Sequence, residues 1–365
     1  MTFQERIQKI VDKHGLPYLD VVAFNGYQSI FRYVTPNATG EERLQMFSMS
    51  KIFTVVSVMQ LIEKGKLSLK DKVNKFFPCF NETYYLKDGK VLKNKKIITI
   101  KNLLQMTSGL TYNVDDPNIK EVYNQKGDTA TLKDFIPSFI KTPLCFKVGT
   151  SFEYGLSHDV LAGVVEVVTG LTFDEYVEKN IFKPLGMDSA TFKNDFEGVY
   201  PKYECREDLS VALAPIDNVL IFSKNYISGG AGLICSVMDY AKIVKALTNG
   251  GVAENGYRIL EEKTVNSLIK SPLPNEFVKH SFYWQGEDYG YGLGVRVRLK
   301  DSGYGINKGE FGWDGACGAF WLSDKTSGIS IVIGMNVFAW ERKYHGIHAE
   351  ILKEIYAEMN KEKQI

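Results

Sequence analysis

Alternating apolar and polar positions predict short strands near both ends of the chain. Two runs in the first forty residues flank Asn25 and Gly26, a dipeptide typical of hairpin turns. Three further runs follow one another near the other end. The five runs are residues 19–24, 29–34, 289–298, 318–324 and 328–336. Strands at both ends predict one sheet that the first and last parts of the chain build together.

Apolar positions at helical spacing predict helices between the two groups of strands. These helices lie near residues 99–106, 131–140, 158–169 and 172–181, and others near 3–13, 48–63, 237–248, 261–271 and 341–362. Asp88 and Gly89 add a small hairpin signal at 85–92. We therefore expect an α/β (α+β) protein, with a discontinuous sheet domain of residues 1–78 and 226–365. A mostly helical domain of residues 79–225 is expected to interrupt it.

The overall charge excludes several classes of partner. The chain has 365 residues, with 24% charged side chains and a net charge of +1. This balance leaves no electrostatic footprint for nucleic acid or an anionic membrane. No apolar run reaches the length of a membrane helix, and residues 1–13 mix charges with apolar positions, unlike a secretory signal. We expect a soluble cytoplasmic protein without a nucleic-acid or membrane partner; a removed export signal stays open.

Cysteine and histidine patterns predict no metal and no cofactor. The five cysteines are Cys79, Cys145, Cys205, Cys235 and Cys317. Their number is odd and none forms a C-x-x-C pair, which argues against structural zinc and a disulfide framework. Among five histidines only His345 and His348 are spaced for one helix face, and no third ligand lies near them.

The strongest chemical signal is Ser48-Met49-Ser50-Lys51 at the start of an apolar helix. Residues three apart share a helix face, so the lysine amine can reach the serine hydroxyl. Lys51 is the only charged residue between Met46 and Ile62. Burial would lower its pKa and make it a plausible general base. From the helix alone, a capping serine beside a lysine that reaches solvent remains an equal alternative.

Two other Ser-x-x-Lys matches show that the spacing also arises by chance. They are Ser138–Lys141 and Ser267–Lys270. Both lie beside other charged residues, a pattern typical of a solvated helix face. The apolar setting of Lys51 is what separates the first match from these two.

Seven ordered segments resemble one known family. They are FSMSKIFT (47–54), ITIKNLLQMTSGL (98–110), FEYGLSHDVLAGVVEVVTG (152–170), PLGMDSATF (184–192), GGAGLICSVMDYAKI (229–243), YGLGVRV (291–297) and GWDGACGAFWLSD (312–324). The chain resembles class C β-lactamases, penicillin-binding D-alanyl-D-alanine carboxypeptidases and related esterases over about residues 18–340. The resemblance implies a β-lactamase/transpeptidase-like fold, with a central antiparallel sheet flanked by helices and an all-helical lobe.

The resemblance also implies roles for individual residues. Ser48 matches the acylated nucleophile, Lys51 its partner, and Tyr154 a tyrosine that relays a proton to the leaving group. Either Lys51 or Tyr154 is expected to be the acylation base. One departure lies close to Tyr154. Leu156 replaces an asparagine that would hold a substrate carbonyl. Asp159 is expected to cap its helix, with polarisation of the site as the alternative.

The third active-site element appears as Trp313-Asp314-Gly315. The family's lysine, which would grip a substrate carboxylate, is absent, and Asp314 adds negative charge there. Gly315 permits close approach of the strand. The resemblance implies that the backbone N–H of Ala316 is the second oxyanion donor beside that of Ser48.

We therefore expect a serine hydrolase that forms a Ser48 acyl-enzyme with a small ester, an amide or peptide, or a β-lactam, in that order. The alternative is a catalytically weak penicillin-binding-like protein that captures acyl-peptides. A Cys317 nucleophile is a weaker possibility, since the sequence places no histidine to support it.

Overall fold

A computed structural model describes residues 1–281 and 286–362. The strands are β1 (Asp20–Asn25), β2 (Gln28–Val34), β3 (Leu44–Gln45), β4 (Tyr84–Lys87), β5 (Lys90–Lys93), β6 (Tyr203–Cys205), β7 (Val211–Leu213), β8 (Ile234–Cys235), β9 (Tyr289–Tyr291), β10 (Arg296–Arg298), β11 (Phe311–Asp314), β12 (Phe320–Asp324), β13 (Ile329–Gly334) and β14 (Val337–Phe338).

The helices are α1 (Phe3–His14), α2 (Lys51–Glu63), α3 (Ile100–Leu104), α4 (Pro117–Lys126), α5 (Leu132–Phe135), α6 (Ser157–Thr169), α7 (Phe173–Val177), α8 (Lys183–Leu185), α9 (Val237–Thr248), α10 (Glu262–Ile269), α11 (Asn275–Val278), α12 (Glu341–Tyr344) and α13 (Ile347–Glu362). Among the described residues no helix is long and apolar enough to cross a bilayer.

One seven-stranded sheet joins the two ends of the chain. Its order is β2-β1-β13-β12-β11-β10-β9, and every neighbouring pair is antiparallel. The register places Asp20 opposite Gly334 and Asn25 opposite Ile329. The expectation of a central antiparallel sheet with helices around it is confirmed. The boundaries of the two expected domains stay a prediction.

Alternate residues of β1 enter two different hydrophobic cores, as the period of a strand requires. Val21 and Ala23 face a core that α1 and α13 cover, while Val22 and Phe24 face the larger core on the other side. Helix α9 packs against β1, β12 and β13 on that second side. The sheet is therefore buried between two layers of helices.

Helix α2 lies inside the larger core and packs against α6. Every residue from Lys51 to Leu61 is buried, which agrees with the nearly continuous apolar sequence. The described residues also form three small sheets, β4-β5, β3-β8 and β14-β6-β7, of which the last two combine strands from the middle of the chain with strands nearer its ends.

Two predicted elements are interrupted. The expected strand over 289–298 divides into β9 and β10, because the chain turns at Gly294, which has a φ of 79°. The expected helix over 341–362 divides into α12 and α13 at Gly346, where φ is 86°. Both positions are in the left-handed region that glycine adopts without strain.

Candidate active site

Ser48 lies in a single 3₁₀ turn, Phe47–Ser50, that leads directly into α2. Phe47 has a φ of 45°, an unusual value for a bulky residue, so the chain is sharply bent immediately before Ser48. Ser48 is 8% exposed and Lys51 is 1% exposed. The alternative in which Lys51 reaches solvent is therefore wrong.

The Lys51 amine has three acceptors within hydrogen-bond distance. Nζ lies 3.0 Å from Ser48 Oγ, 2.9 Å from the Tyr112 hydroxyl and 2.8 Å from the Gly230 carbonyl oxygen. Burial lowers the pKa of Lys51 to about 7, and the negative charges of two nearby carboxylates oppose this shift. The amine can therefore be neutral near neutral pH and accept a proton from Ser48.

The ring of Tyr154 also lies beside the amine. Lys51 Nζ is 4.6 Å from the centroid of the Tyr154 ring. The Tyr154 hydroxyl accepts a hydrogen bond from Trp313 Nε1 at 2.8 Å and also shares one with Ser48. Burial raises the pKa of Tyr154 well above its usual value. A phenolate is therefore disfavoured here, although the hydroxyl is placed to pass a proton.

The third active-site element, Trp313-Asp314-Gly315, lies against the Phe47–Ser50 turn at the end of β11. A Cβ on Gly315 would overlap the carbonyl oxygen of Met46, so only glycine allows this approach. Gly315 donates its N–H to Ala319 at 2.7 Å, and Gly318 donates to Gly315 at 2.8 Å. These bonds fix a tight turn that carries Ala316 beside the turn that carries Ser48.

Asp159 does not cap a helix. The residue before α6 is Leu156, and Asp159 lies buried in the first turn of the helix. Its carboxylate accepts hydrogen bonds from Ser228 Oγ at 2.7 Å and from the Gly230 N–H at 3.4 Å. Burial raises its pKa. Asp159 thus holds the loop whose carbonyl oxygen contacts Lys51, and the expectation of a cap was wrong.

Other nucleophile and metal sites find little support. Burial raises the pKa of Cys317 far above its usual value, which disfavours a thiolate. His348 is buried and contacts the Gly318 carbonyl oxygen at 2.8 Å. In the described part of the chain no three His, Cys, Asp or Glu side chains are grouped to hold a metal.

Sequence reasoning missed two partners of Lys51. Tyr112 follows the TSGL segment in a loop and is partly exposed. It lies 61 residues beyond Lys51, so no helix or strand period connects the two. The other partner, Gly230, acts through its backbone carbonyl, a group that every residue type carries. The Gly229–Gly230 pair was the available signal, because a Cβ on Gly230 would overlap the Asp159 carboxylate.

Comparison with known proteins agrees with this geometry. The chain is 27% identical over 325 residues to a lovastatin esterase of Penicillium rubens, covering 79% of this chain and 78% of the relative. It is 26% identical to a putative D-alanyl-D-alanine carboxypeptidase of Salmonella enteritidis, over 71% of this chain and 60% of that protein.

Solved structures share the fold. EstCE1, described as a hydrolase with promiscuous acyltransferase activity, superposes with a TM-score of 0.79 at 22% identity, over 97% of this chain and 98% of its own. A D-stereospecific amidohydrolase from Streptomyces has a TM-score of 0.70 at 21% identity, over 96% and 97%. The family model described as Beta-lactamase matches residues 3–353. The chain therefore belongs to the β-lactamase family.

Proposed function

We propose that this protein is a serine hydrolase that forms an acyl-enzyme on Ser48 with a small ester or amide, with esters preferred. One observation carries the proposal. A buried lysine amine with a lowered pKa lies 3.0 Å from the hydroxyl of a serine at the start of a buried helix. That pairing is the arrangement an activated serine nucleophile needs.

Lys51 is the acylation base in this proposal, rather than Tyr154. Burial moves the two pKa values in opposite directions, because it disfavours whichever form is charged. Lys51 therefore becomes a neutral amine near neutral pH, while Tyr154 stays a neutral phenol. After Lys51 accepts the Ser48 proton, its three N–H groups have Ser48, Tyr112 and Gly230 as acceptors.

The attack of Ser48 Oγ on the substrate carbonyl forms a tetrahedral oxyanion. The N–H groups of Ser48 and Ala316 are the proposed donors to it. The close approach at Gly315 supports this role, because it brings the Ala316 turn against the Ser48 turn. The leaving group then takes a proton from the Tyr154 hydroxyl. Protonated Lys51, whose amine lies beside the Tyr154 ring, replaces it with the proton that it took from Ser48. Water cleaves the acyl-enzyme in the second step.

The charges of the site favour uncharged acyl substrates. Asp314 lies half-buried on β11 and its charge acts on Lys51. A substrate carboxylate beside Asp314 would be repelled. Leu156 replaces the asparagine whose side-chain amide would hold a substrate carbonyl, a change that we expect an esterase to tolerate better than a dedicated β-lactamase. The lovastatin esterase and the acyltransferases among the relatives support an ester as the first choice.

Leu156 and Asp314 are also the features that favour the second candidate, a catalytically weak protein that captures acyl-peptides. Both candidates place an acyl group on or near Ser48. They differ in whether the acyl-enzyme is cleaved by water, so turnover separates them.

The test is hydrolysis of p-nitrophenyl acyl esters together with intact-mass analysis after a fluorophosphonate probe. We expect turnover and a covalent adduct with the wild type, and neither with Ser48→Ala. Ser57→Ala is the matched control, since Ser57 is buried in the same helix and donates to the Phe53 carbonyl oxygen at 2.8 Å. This control is expected to keep both signals.

Absence of turnover and of adduct on wild-type protein would contradict the hydrolase proposal. A stable adduct without turnover would favour the second candidate. Loss of labelling in Ser57→Ala as well would indicate that the helix, rather than the Ser48 hydroxyl, had been disturbed.

A further inference from the structure

The β4–β5 hairpin, Tyr84–Lys93, carries an unusual group of exposed apolar side chains. Tyr84 is 40% exposed, Leu86 50%, Val91 55% and Leu92 39%. Burying one such side chain is worth more than 1 kcal/mol, so proteins rarely leave several together in water without a partner. We call these four residues, with the lysines of the same hairpin and of the chain directly after it, the hairpin patch.

The register of the hairpin gathers three of these side chains on one face. Leu86 pairs with Val91 and Tyr84 pairs with Lys93, and paired residues of an antiparallel hairpin point to the same side. Tyr85, on the opposite face, packs against the main core. The apolar face of Tyr84, Leu86 and Val91 therefore points away from the body of the protein.

Backbone hydrogen bonds from strand β4 to Leu144 hold the hairpin in place. Leu86 donates its N–H to Leu144 at 2.9 Å, and Leu144 donates to Tyr84 at 2.8 Å. Asn94 donates to Thr83 at 2.9 Å and closes the base. The patch is thus a fixed part of the fold that presents an apolar surface to its surroundings.

The charge of the patch is strongly positive, in contrast to the whole chain. The exposed lysines are Lys87, Lys90, Lys93, Lys95 and Lys96. Only two acidic residues lie in the same stretch, Glu82, which pairs with Lys93, and Asp88. Acidic residues elsewhere in the chain offset these lysines, so the net charge is only +1. The whole-chain charge therefore predicts no membrane partner.

We propose that the hairpin patch docks on a lipid surface that contains anionic headgroups. Leu86 and Val91 would enter the boundary of the acyl chains, and Lys93 on the same face would contact phosphates. Lys87 and Lys90 pair with each other at the tip, on the opposite face, and would reach the phosphates with their long side chains. Tyr84 is amphipathic and suits the headgroup level. The hairpin thus carries apolar side chains that suit the acyl chains and cationic side chains that suit the anionic headgroups.

Other possible partners match only the apolar side chains or only the lysines of the hairpin patch. A second copy of the chain would bring lysines against lysines in a symmetric contact. Nucleic acid would attract the lysines but offers no apolar layer for Leu86 and Val91. An acidic protein surface would need its own apolar patch to match.

The test is co-sedimentation with phosphatidylcholine vesicles, with and without phosphatidylglycerol as a minor component. We expect binding to the anionic vesicles that weakens as salt is added. Lys87→Glu and Lys90→Glu should each lower the partition constant by about fivefold or more. Leu86→Asp with Val91→Asp should abolish binding, while hydrolysis of a soluble ester stays at the wild-type rate.

Two matched controls lie elsewhere on the surface. Val167→Asp changes an exposed valine on α6, and Lys263→Glu changes an exposed lysine on α10. Both should bind vesicles as the wild type does. Unchanged circular dichroism and melting temperature would show that the hairpin variants remain folded.

Several outcomes would overturn the proposal. One is equal binding to vesicles with and without phosphatidylglycerol, and another is full binding by the Leu86→Asp and Val91→Asp variant. If light scattering shows that the wild type is a dimer and that this variant is a monomer, the patch would instead be an interface between two copies of the chain. Binding of polyglutamate but not of vesicles would assign it to an acidic protein.

Discussion

Lys51 has almost no contact with water, yet its environment does not remove its charge completely. Desolvation lowers the pKa of its amine to about 7, and the charges of Asp159 and Asp314 raise it. These carboxylates therefore help to set the fraction of enzyme that carries a neutral amine near neutral pH. Asp159 contributes twice, since it also holds the loop that ends at Gly230.

We predict that kcat/KM rises with pH through an apparent pKa near 7. The sign follows from the role of the amine, because a base is active only after it has lost its proton. Asp159→Asn should move this rise to lower pH, since it removes a negative charge that stabilises protonated Lys51. The measurement is the pH profile of p-nitrophenyl ester hydrolysis for both proteins.

Asp314→Asn should shift the profile in the same direction and serves as the comparison. If the rise of kcat/KM occurs at the same pH in both variants as in the wild type, or at a higher pH, the result would contradict Lys51 as the base.

The sequence was sufficient to bring Ser48, Lys51, Tyr154 and Trp313 into one hypothesis, and the structure places these four side chains in one cluster. Tyr112 could not be found in this way. The loop that carries Tyr112 brings it to Lys51. The course of this loop depends on packing against residues far away in the sequence, and local spacing does not reveal it. For the same reason, the sequence position of Asp159 favoured a helix cap, although its carboxylate holds a loop that is distant in the sequence.

At the scale of elements, the site depends on how closely β11 approaches the Phe47–Ser50 turn. The end of the strand can approach Met46 only because Gly315 has no side chain to hold the two apart, and the proposed donor role of the Ala316 N–H depends on this approach. Trp313 lies near the end of the same strand and donates a hydrogen bond to the Tyr154 hydroxyl. One short strand and the turn after it thus contact both Tyr154 and the segment that carries Ser48.

We predict that Gly315→Ala lowers kcat by about 10²–10³-fold, comparable to the loss of an oxyanion donor. The added Cβ would overlap the Met46 carbonyl oxygen, and the strand would have to move away from Ser48. Overpacking of this kind should also cost roughly 1–3 kcal/mol of stability. Ester turnover and thermal unfolding would measure the two effects.

Gly303→Ala is the matched control, because a Cβ at Gly303 has open space around it. It should leave kcat unchanged. A fully active Gly315→Ala variant would show that Ala316 is not held in place by this contact.

Elements with a clear period were predicted well, and short ones were not. The runs that became β1, β2, β12 and β13 alternate or stay apolar over five residues or more. Strands β6 and β7 have three residues each, and β14 has two, which is too short for any period to show. They form through pairing with one another rather than through local preference.

At the scale of the whole molecule, the last helix contacts the turn beside the active site. His348 on α13 lies 2.8 Å from the Gly318 carbonyl oxygen, and its ring packs between Phe320 and Trp340. A carbonyl oxygen only accepts, so Nε2 carries the hydrogen. Burial lowers the pKa of His348 to about 4.

We predict that acid weakens the fold through His348. The unfolded chain binds a proton at this residue near pH 6.5 and the folded chain only near pH 4, so the stability falls as the pH drops between these values. The loss attributable to this group is roughly 3 kcal/mol. Urea unfolding at neutral pH and near pH 4 would measure it.

His348→Gln should show a smaller difference between the two conditions, since glutamine can donate to Gly318 without titrating. His280→Gln, at an exposed position, should behave as the wild type. An equal acid loss in His348→Gln and the wild type would assign the effect to other groups.

The pairing of β1 with β13 has a consequence for synthesis on the ribosome. Asp20 finds its partner Gly334 only after some three hundred further residues have been made, which takes roughly 15–60 s at ordinary translation rates. During that interval β1 exposes apolar side chains on both faces. A nascent chain of this protein is therefore a substrate for chaperones until the ribosome has nearly finished. Messages that end early would yield chains that cannot close the sheet and that proteases would remove.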